Sequence, residues 1–355
     1  MTKRIASSSP PSFSRDLSVC WERKRHLQGL SNHITGYELI MPPSSVHLAI
    51  VSAFAAIYLV WGSTYLALAL ALQSLPPFTL MAARCLMGGA ILFGAARAAG
   101  ASSPPRKTCL VAMICGVLFF VGCHGVLAYA QQRVHSGLAA VLLATIPLWI
   151  VLLQVIFPGS ERPNWKTVAF LIPGVAGVAL IASHEASAGR DGLRASDVLL
   201  LLGAALSWAA GTFVSERHSG TSSPVALSGL ELLAGGVVLL AIGAARGELG
   251  GLHLSSISAA SIAGWTYLTL MGTVVAFAAY IWLLKQVPST LVSTYTFVNP
   301  IIAVLLGWAF LGETPSLWML AGAALVIASV AGLLLARSKS QGRANRSWSV
   351  QLSEG

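Results

Sequence analysis

The sequence predicts an all-α polytopic membrane protein, with ten transmembrane helices arranged as two inverted five-helix repeats. Three observations carry this. Of 355 residues, 55% are hydrophobic and only 10% charged, against about 25% charged in ordinary soluble domains. The apolar residues fall in runs of about 20, the length a helix needs to cross a hydrocarbon core of about 30 Å. The two halves then repeat the same scarce residues at matched spacing. Alternation of period two is absent, so a barrel is not the reading, and only helices satisfy their own backbone in lipid.

Residues 1–45 are polar and Ser/Pro-rich, with a basic cluster at Arg23, Lys24 and Arg25. They show no apolar signal-peptide core. Asp16 and Glu22 argue against an acid-poor transit peptide. This stretch is expected to be a disordered cytoplasmic extension, with Met41 as an alternative start. The spans follow at about 47–72, 75–96, 108–130, 136–157, 164–183, 196–216, 225–245, 260–284, 288–311 and 316–336. The expected domains are the extension 1–45, a first repeat 46–184, a second repeat 195–336 and a cytoplasmic tail 337–355.

The net charge of +10 is unevenly placed. With the amino terminus inside, seventeen Lys and Arg fall on the cytoplasmic side and four on the other, Arg133, Arg190, Arg194 and Arg246. Arg84 alone lies within a span. The positive-inside rule then puts both termini in the cytoplasm. These charges sit in short loops and tails, which disfavours nucleic acid as a partner. The five cysteines show neither zinc-ligand spacing nor placement for an external disulfide, so no metal or cofactor is expected.

An offset of 147 aligns Trp61 with Trp208, Pro77 with Pro224, Arg84 with Glu231, and Gly88-Gly89 with Gly235-Gly236. An offset of 153 aligns Pro147 with Pro300, Trp165 with Trp318 and Leu180 with Leu333. Each copy has five spans, an odd number, so the second enters the membrane inverted. Inverted repeats mark secondary transporters, whose sites lie near the midplane between the halves. Arg84 and Glu231 each stand seven residues past the matched proline, roughly 11 Å deep from opposite faces. An unpaired charge there costs about 2.5–3.5 kcal/mol on insertion scales. They form either a structural ion pair or a substrate site.

Other polar positions inside spans are site candidates. WGSTY at 61–65 weakens its helix and puts Trp61 and Tyr65 on one face, with Thr64 beside them. Pro147 and Pro300 remove helical N–H groups and are read as kinks. Tyr295 and Asn299 share a face in the second kinked span. His124 and Gln131 share one in the third, where a histidine is either a proton relay or a satisfied interhelical donor. Tyr280 is the comparable polar-tipped residue of the eighth. A small-molecule substrate, the lipid bilayer and protons as coupling ion are the partners this predicts; the oligomeric state is left open. A membrane-embedded enzyme or a sensor is the rival, but clustered acids, histidines and cysteines are lacking.

At several of these residues the chain resembles the EamA family of the drug/metabolite transporter superfamily. The matching pieces are WGSTY at 61–65, PPFTLMAARCLMGGAIL at 76–92 and SGLAAVLLATIPL at 136–148. In the second half they are LSWAAGTF at 206–213, SGLELLAGGVVLL at 228–240 and STYTFVNPIIAVLLGWAFLGET at 293–314. The resemblance covers about residues 46–336. It implies a ten-helix permease that moves small metabolites, often outward, through a central cavity. Carried over, the cavity residues are Trp61, Thr64, Tyr65, Arg84, Trp208, Glu231, Tyr295 and Asn299. The sequence departs from the family pattern at AQQRVHSG, with Gln131 where an acid is usual, His135 where proline is usual and Cys123 where asparagine is usual.

Epitope tags placed at the two ends of the chain are therefore expected to be reached from the cytoplasmic side alone. Tags on opposite sides would make the helix count odd and remove the inverted repeat.

Overall fold

The computed structural model describes residues 43–157, 165–185, 194–218, 222–287, 292 and 294–354. The extension read at 1–45 lies almost wholly outside them. Contacts divide the chain into Met1–Ala49 and Ile50–Gly355, and the helices below belong to the second unit apart from the first turns of α1. Among the described residues the secondary structure is helical, with no strand.

The order is α1 Pro43–Ala71, α2 Pro77–Ala98, α3 Arg106–Ala130, α4 Ser136–Leu143, α5 Ile146–Ile156, α6 Trp165–Ala169 and α7 Leu171–Glu185. There follow α8 Ala195–His218, α9 Pro224–Ala245, α10 Ala259–Leu283, α11 Tyr295–Leu311 and α12 Leu317–Glu354. Seven helical stretches are long and apolar enough to cross a membrane: α1, α2, α3, α4 with α5, α8, α9 and α10. Shorter apolar helices cover Leu171–His184, Tyr295–Leu311 and Leu317–Leu333.

Two readings from sequence change. Pro147 does not kink a continuous helix. The helix ends at Leu143, and Pro147 stands in the first turn of α5, where its missing N–H is not needed. Thr145 fills the break by donating its hydroxyl to Leu142 O at 2.6 Å. Pro300, by contrast, lies inside α11. The tail 337–355 is also different. α12 continues through it to Glu354, since Ala, Arg, Lys and Gln favour helix and no proline intervenes.

The two copies share backbone detail. α2 and α9 are each 22 residues long and end in the same way. Gly100 and Gly247, 147 apart, have φ of 83° and 76°. In each cap the next residue's N–H returns to a carbonyl five residues back, Ala101 to Ala96 and Glu248 to Gly243, both within 3.0 Å. α3 and α10 each open into a π-helical stretch, Val117–Gly125 and Leu268–Val275.

Packing follows the same exchange. α2 crosses α9, α4 packs on α11, and α7 packs on α12. α3 packs on α8 and α9, and α10 packs on α2 and on α1 through Gly264 and Ser261. Swapping the halves returns this set of neighbours. At the α2–α9 crossing Cys85 faces Gly236, Leu232 faces Gly89, and Phe93 faces Gly229. A Cβ on Gly229 would lie 2.7 Å from Phe93 N. Such glycines let backbones meet, which is how helices associate when lipid supplies no hydrophobic drive.

Gly229→Ala is expected to destabilise by about 1–3 kcal/mol through overpacking, and so is Gly177→Ala, whose Cβ would lie 2.6 Å from Gly322 O. Gly94→Ala and Gly203→Ala, with nothing within 4 Å, are expected to be neutral or to stabilise by about 0.5–1 kcal/mol. Thermal unfolding in detergent micelles checks all four.

Candidate functional site

Two aromatic groups flank the α2–α9 crossing, and both are held against π-helical backbone. The first joins α1, α10 and α11. Trp61 stands 4.7 Å from Tyr295 edge-on and 5.4 Å from Tyr280, with those two 6.1 Å apart. Its indole N–H donates to Gly272 O at 3.0 Å. A π turn leaves backbone carbonyls poorly served by their own helix, so it is a natural place for a neighbour to bond. Thr64 donates its hydroxyl to Trp61 O at 2.6 Å. A Cβ on Gly272 would sit 3.0 Å from the Thr64 methyl.

The second joins α3 and α8. Trp208 stands 4.7 Å from Phe119 and 5.1 Å from His124, whose ring stacks on Phe120 at 5.6 Å. Ser207, beside Trp208, donates to Leu118 O at 2.8 Å. Each copy thus sends a side chain from its first helix to a π-helical carbonyl of the other. His124 Nδ1 lies 3.1 Å from Phe119 O. A carbonyl only accepts, so this nitrogen carries the proton. The ring is a satisfied donor to its own helix through that atom.

Arg84 is 8% exposed. Its Nε donates to Thr273 Oγ1 at 2.9 Å, and Thr273 in turn donates to Leu268 O at 3.0 Å. The ion pair with Glu231 that the sequence allows is not formed. The contacts of Gly89, Gly229 and Gly236 place the two charges on opposite sides of the crossing, roughly 10 Å apart along the helices. Glu231 sits where Gly116 of α3 meets its backbone. Its carboxylate has no hydrogen bond or ion pair among the described residues.

Gln131 is 7% exposed and donates Nε2 to Tyr65 O at 2.7 Å, which ties the end of α3 to α1. Its Oε1 and the Oδ1 of Asn299 are enclosed without a partner. Of the sequence candidates, Trp61, Tyr280 and Tyr295 therefore come together, with Thr64 bonded to Trp61. His124 and Trp208 form the other group. Arg84 and Glu231 stay apart, and Gln131 joins Tyr65 through its backbone.

Sequence reading misses Thr273, Ser207 and Gly272, and a further set of contacts at one end of the helices. Glu248 accepts from Thr79 N at 2.8 Å and from Thr79 Oγ1 at 2.9 Å, capping α2. Glu313 accepts from Ser136 N at 2.7 Å, Ser136 Oγ at 3.0 Å and Gly137 N at 3.2 Å, capping α4. A carboxylate there answers both the orphan N–H groups and the helix dipole. Both glutamates follow a glycine at positive φ, Gly247 and Gly312, and that Gly-Glu pair is the signal that marks them. Arg133 binds Asp197, 1% exposed, at 2.6 Å. Arg246 lies over Phe78 and Tyr129.

The EamA-like transporter family model matches residues 47–183 and 195–335. The chain belongs to this family. It therefore carries two family repeats and is a multi-pass membrane transporter for a small-molecule substrate. It is 33% identical over 276 residues to the "Uncharacterized inner membrane transporter YedA" of Escherichia coli K12, covering 76% of this chain and 85% of that one. "Protein PecM" of Dickeya dadantii is 27% identical, over 76% and 87% of the two chains. A "Probable terminal-alkyne amino-acid exporter" of Streptantibioticus cattleyicolor is 24% identical, over 80% and 91%. A solved structure described as "Crystal structure of protein" superposes with a TM-score of 0.56 at 22% identity, covering 82% of this chain and 98% of that chain, a likeness of fold. The family is one of transporters, and the names of the Escherichia coli and Streptantibioticus cattleyicolor relatives are those of a transporter and an exporter.

Glu313→Ala is expected to cost about 1–2 kcal/mol by uncapping α4, and Glu313→Gln to recover part of it. Thermal unfolding of the purified chain checks both.

Proposed function

We propose that the chain is an exporter of a small polar metabolite, an amino acid or a related compound, working by alternating access across the plasma membrane. The reading takes ten membrane helices. These are the seven long ones, with α7, α11 and the apolar part of α12 added. They form repeats 46–184 and 195–336, inverted, with both termini in the cytoplasm.

One observation carries the proposal. The exchange of helix neighbours between copies is reciprocal, and in each direction a first-helix side chain, Trp61 or Ser207, bonds a π-helical carbonyl of the other copy, Gly272 O or Leu118 O. Two copies that clasp each other in this way can trade conformations, so that one closes while its twin opens. The substrate site lies between the clasps, among Trp61, Thr64, Tyr65, Tyr280, Tyr295 and Asn299 on one side and His124, Gln131 and Trp208 on the other, with Arg84 and Glu231 near mid-depth. Glu231, lacking a partner, is the proton-binding group of the cycle. The caps made by Glu248 and Glu313 and the Arg133–Asp197 pair all lie at the end this topology makes external. They join helices of the two copies at that end. The amino-acid class draws support from the exporter of Streptantibioticus cattleyicolor.

Comparing metabolites inside and outside cells with and without the gene tests this. The exported compound is expected to rise in the medium when the gene is present and to build up inside when it is absent. An identical distribution in both strains counts against export. Glu231→Gln is expected to flatten the response of export to an imposed pH gradient while leaving the protein folded.

A further inference from the structure

We infer that Arg84 is the seat for a substrate carboxylate, held end-on by its Nη1 and Nη2 groups, and that Thr273 is the positioning residue that imposes this mode. The inference rests on the transporter reading and names the chemical class it carries.

A guanidinium can hold a carboxylate in two planar ways, through Nε with one terminal nitrogen or through both terminal nitrogens. Thr273 removes the first. Its one hydroxyl proton goes to Leu268 O at 3.0 Å, so towards Arg84 it is an acceptor, and it takes the Nε proton at 2.9 Å. Among the described residues this is the only hydrogen bond Arg84 makes. Gly272, beside the fork, gives its carbonyl to the Trp61 indole. Arg84 is buried, and among the described residues neither Nη1 nor Nη2 has a hydrogen-bond partner.

The surroundings are cut to permit this. A Cβ on Gly88 would lie 2.7 Å from Thr273 Cγ2, so only glycine lets α10 bring Thr273 down onto α2. Gly272 keeps the space beside Nη2 clear, where a Cβ would be 3.9 Å from that nitrogen. Among the described residues no anion pairs with the charge. Glu231 is not paired with it, and Asp197 is committed to Arg133. A buried cation without a counter-ion is costly, and a ligand that brings one recovers that cost. One fork with one positive charge matches a monoanionic planar group. A phosphate monoester, near −2, would leave net negative charge at mid-depth.

The test uses the full chain in proteoliposomes with labelled L-amino acids, their α-amides and the corresponding decarboxylated amines. The acids are expected to be carried and the amides and amines not. Thr273→Val is expected to raise KM for the acids about tenfold or more with little change in maximal rate. Thr273→Ser, which keeps the hydroxyl, should stay within about twofold of wild type. Arg84→Lys, which keeps the charge and loses the fork, should resemble Thr273→Val. Amines or amides carried as well as acids, or Thr273→Val matching wild type, would overturn the inference and leave the transporter reading standing. If wild type carries no acid of the set, the carboxylate seat is likewise refuted, and the metabolite comparison decides separately whether the chain transports.

Discussion

Backbone contact between α2 and α9 is the constraint on which the other features rest. Lipid tails are as apolar as leucine, so helices in a bilayer gain from close packing and not from leaving water. The pairs Gly88-Gly89 and Gly235-Gly236 remove side chains where the two helices cross. The crossing then holds Arg84 and Glu231 at fixed places on either side of it. It also brings α2 close enough to α10 for Thr273 to reach the Arg84 Nε. A larger residue at Gly88 would meet Thr273 Cγ2, separate those helices and take the guanidinium's threonine partner away.

The π-helical stretches of α3 and α10 are the second element of the design. An extra residue in a turn widens it and turns carbonyls outward. Two of these carbonyls, Leu118 O and Gly272 O, receive Ser207 and Trp61 from the opposite copy. The copies are therefore joined through backbone that is already loosened. Such joints can be remade at small cost, which suits the proposed exchange of shapes between the halves. The caps made by Glu248 and Glu313 differ. Each carboxylate satisfies several donors, and parting those helices would have to replace the bonds with water.

Much of this was legible in the sequence, and for a stated reason. Apolar runs, the matched tryptophans and prolines, and the lone charges at 84 and 231 are each conspicuous against a uniform background. Thr273 is not. A threonine in an apolar helix usually bonds back to its own turn, and only the register between α2 and α10, 189 residues apart, gives it a second task. Glu248 and Glu313 were hidden because an acid in a loop reads as solvated. Their role depends on a helix from the other copy ending beside them. The break at Ala144–Thr145 was missed because proline suits a helix start as well as a kink. The Arg84–Glu231 pair was allowed by depth alone, and side-by-side placement is a property of the crossing, not of either helix.

The scaffold is duplicated, but the chemistry it encloses is not. Trp61 and Trp208 occupy equivalent places, whereas the offset that equates α10 with α3 puts Gly272 and Thr273 opposite Phe119 and Phe120. The cation accordingly has a hydroxyl ligand and open space beside it. The anion has Cys115 and Gly116 of the facing helix beside it. Two access states related by exchange of the halves would share one shape and differ in polarity. Under the proposed alternating-access cycle, the state that opens on Arg84 would offer a cation with a hydroxyl beside it, and its twin would offer the carboxylate of Glu231. A substrate suited to the first environment would be held less well in the second, so the asymmetry would favour its release there.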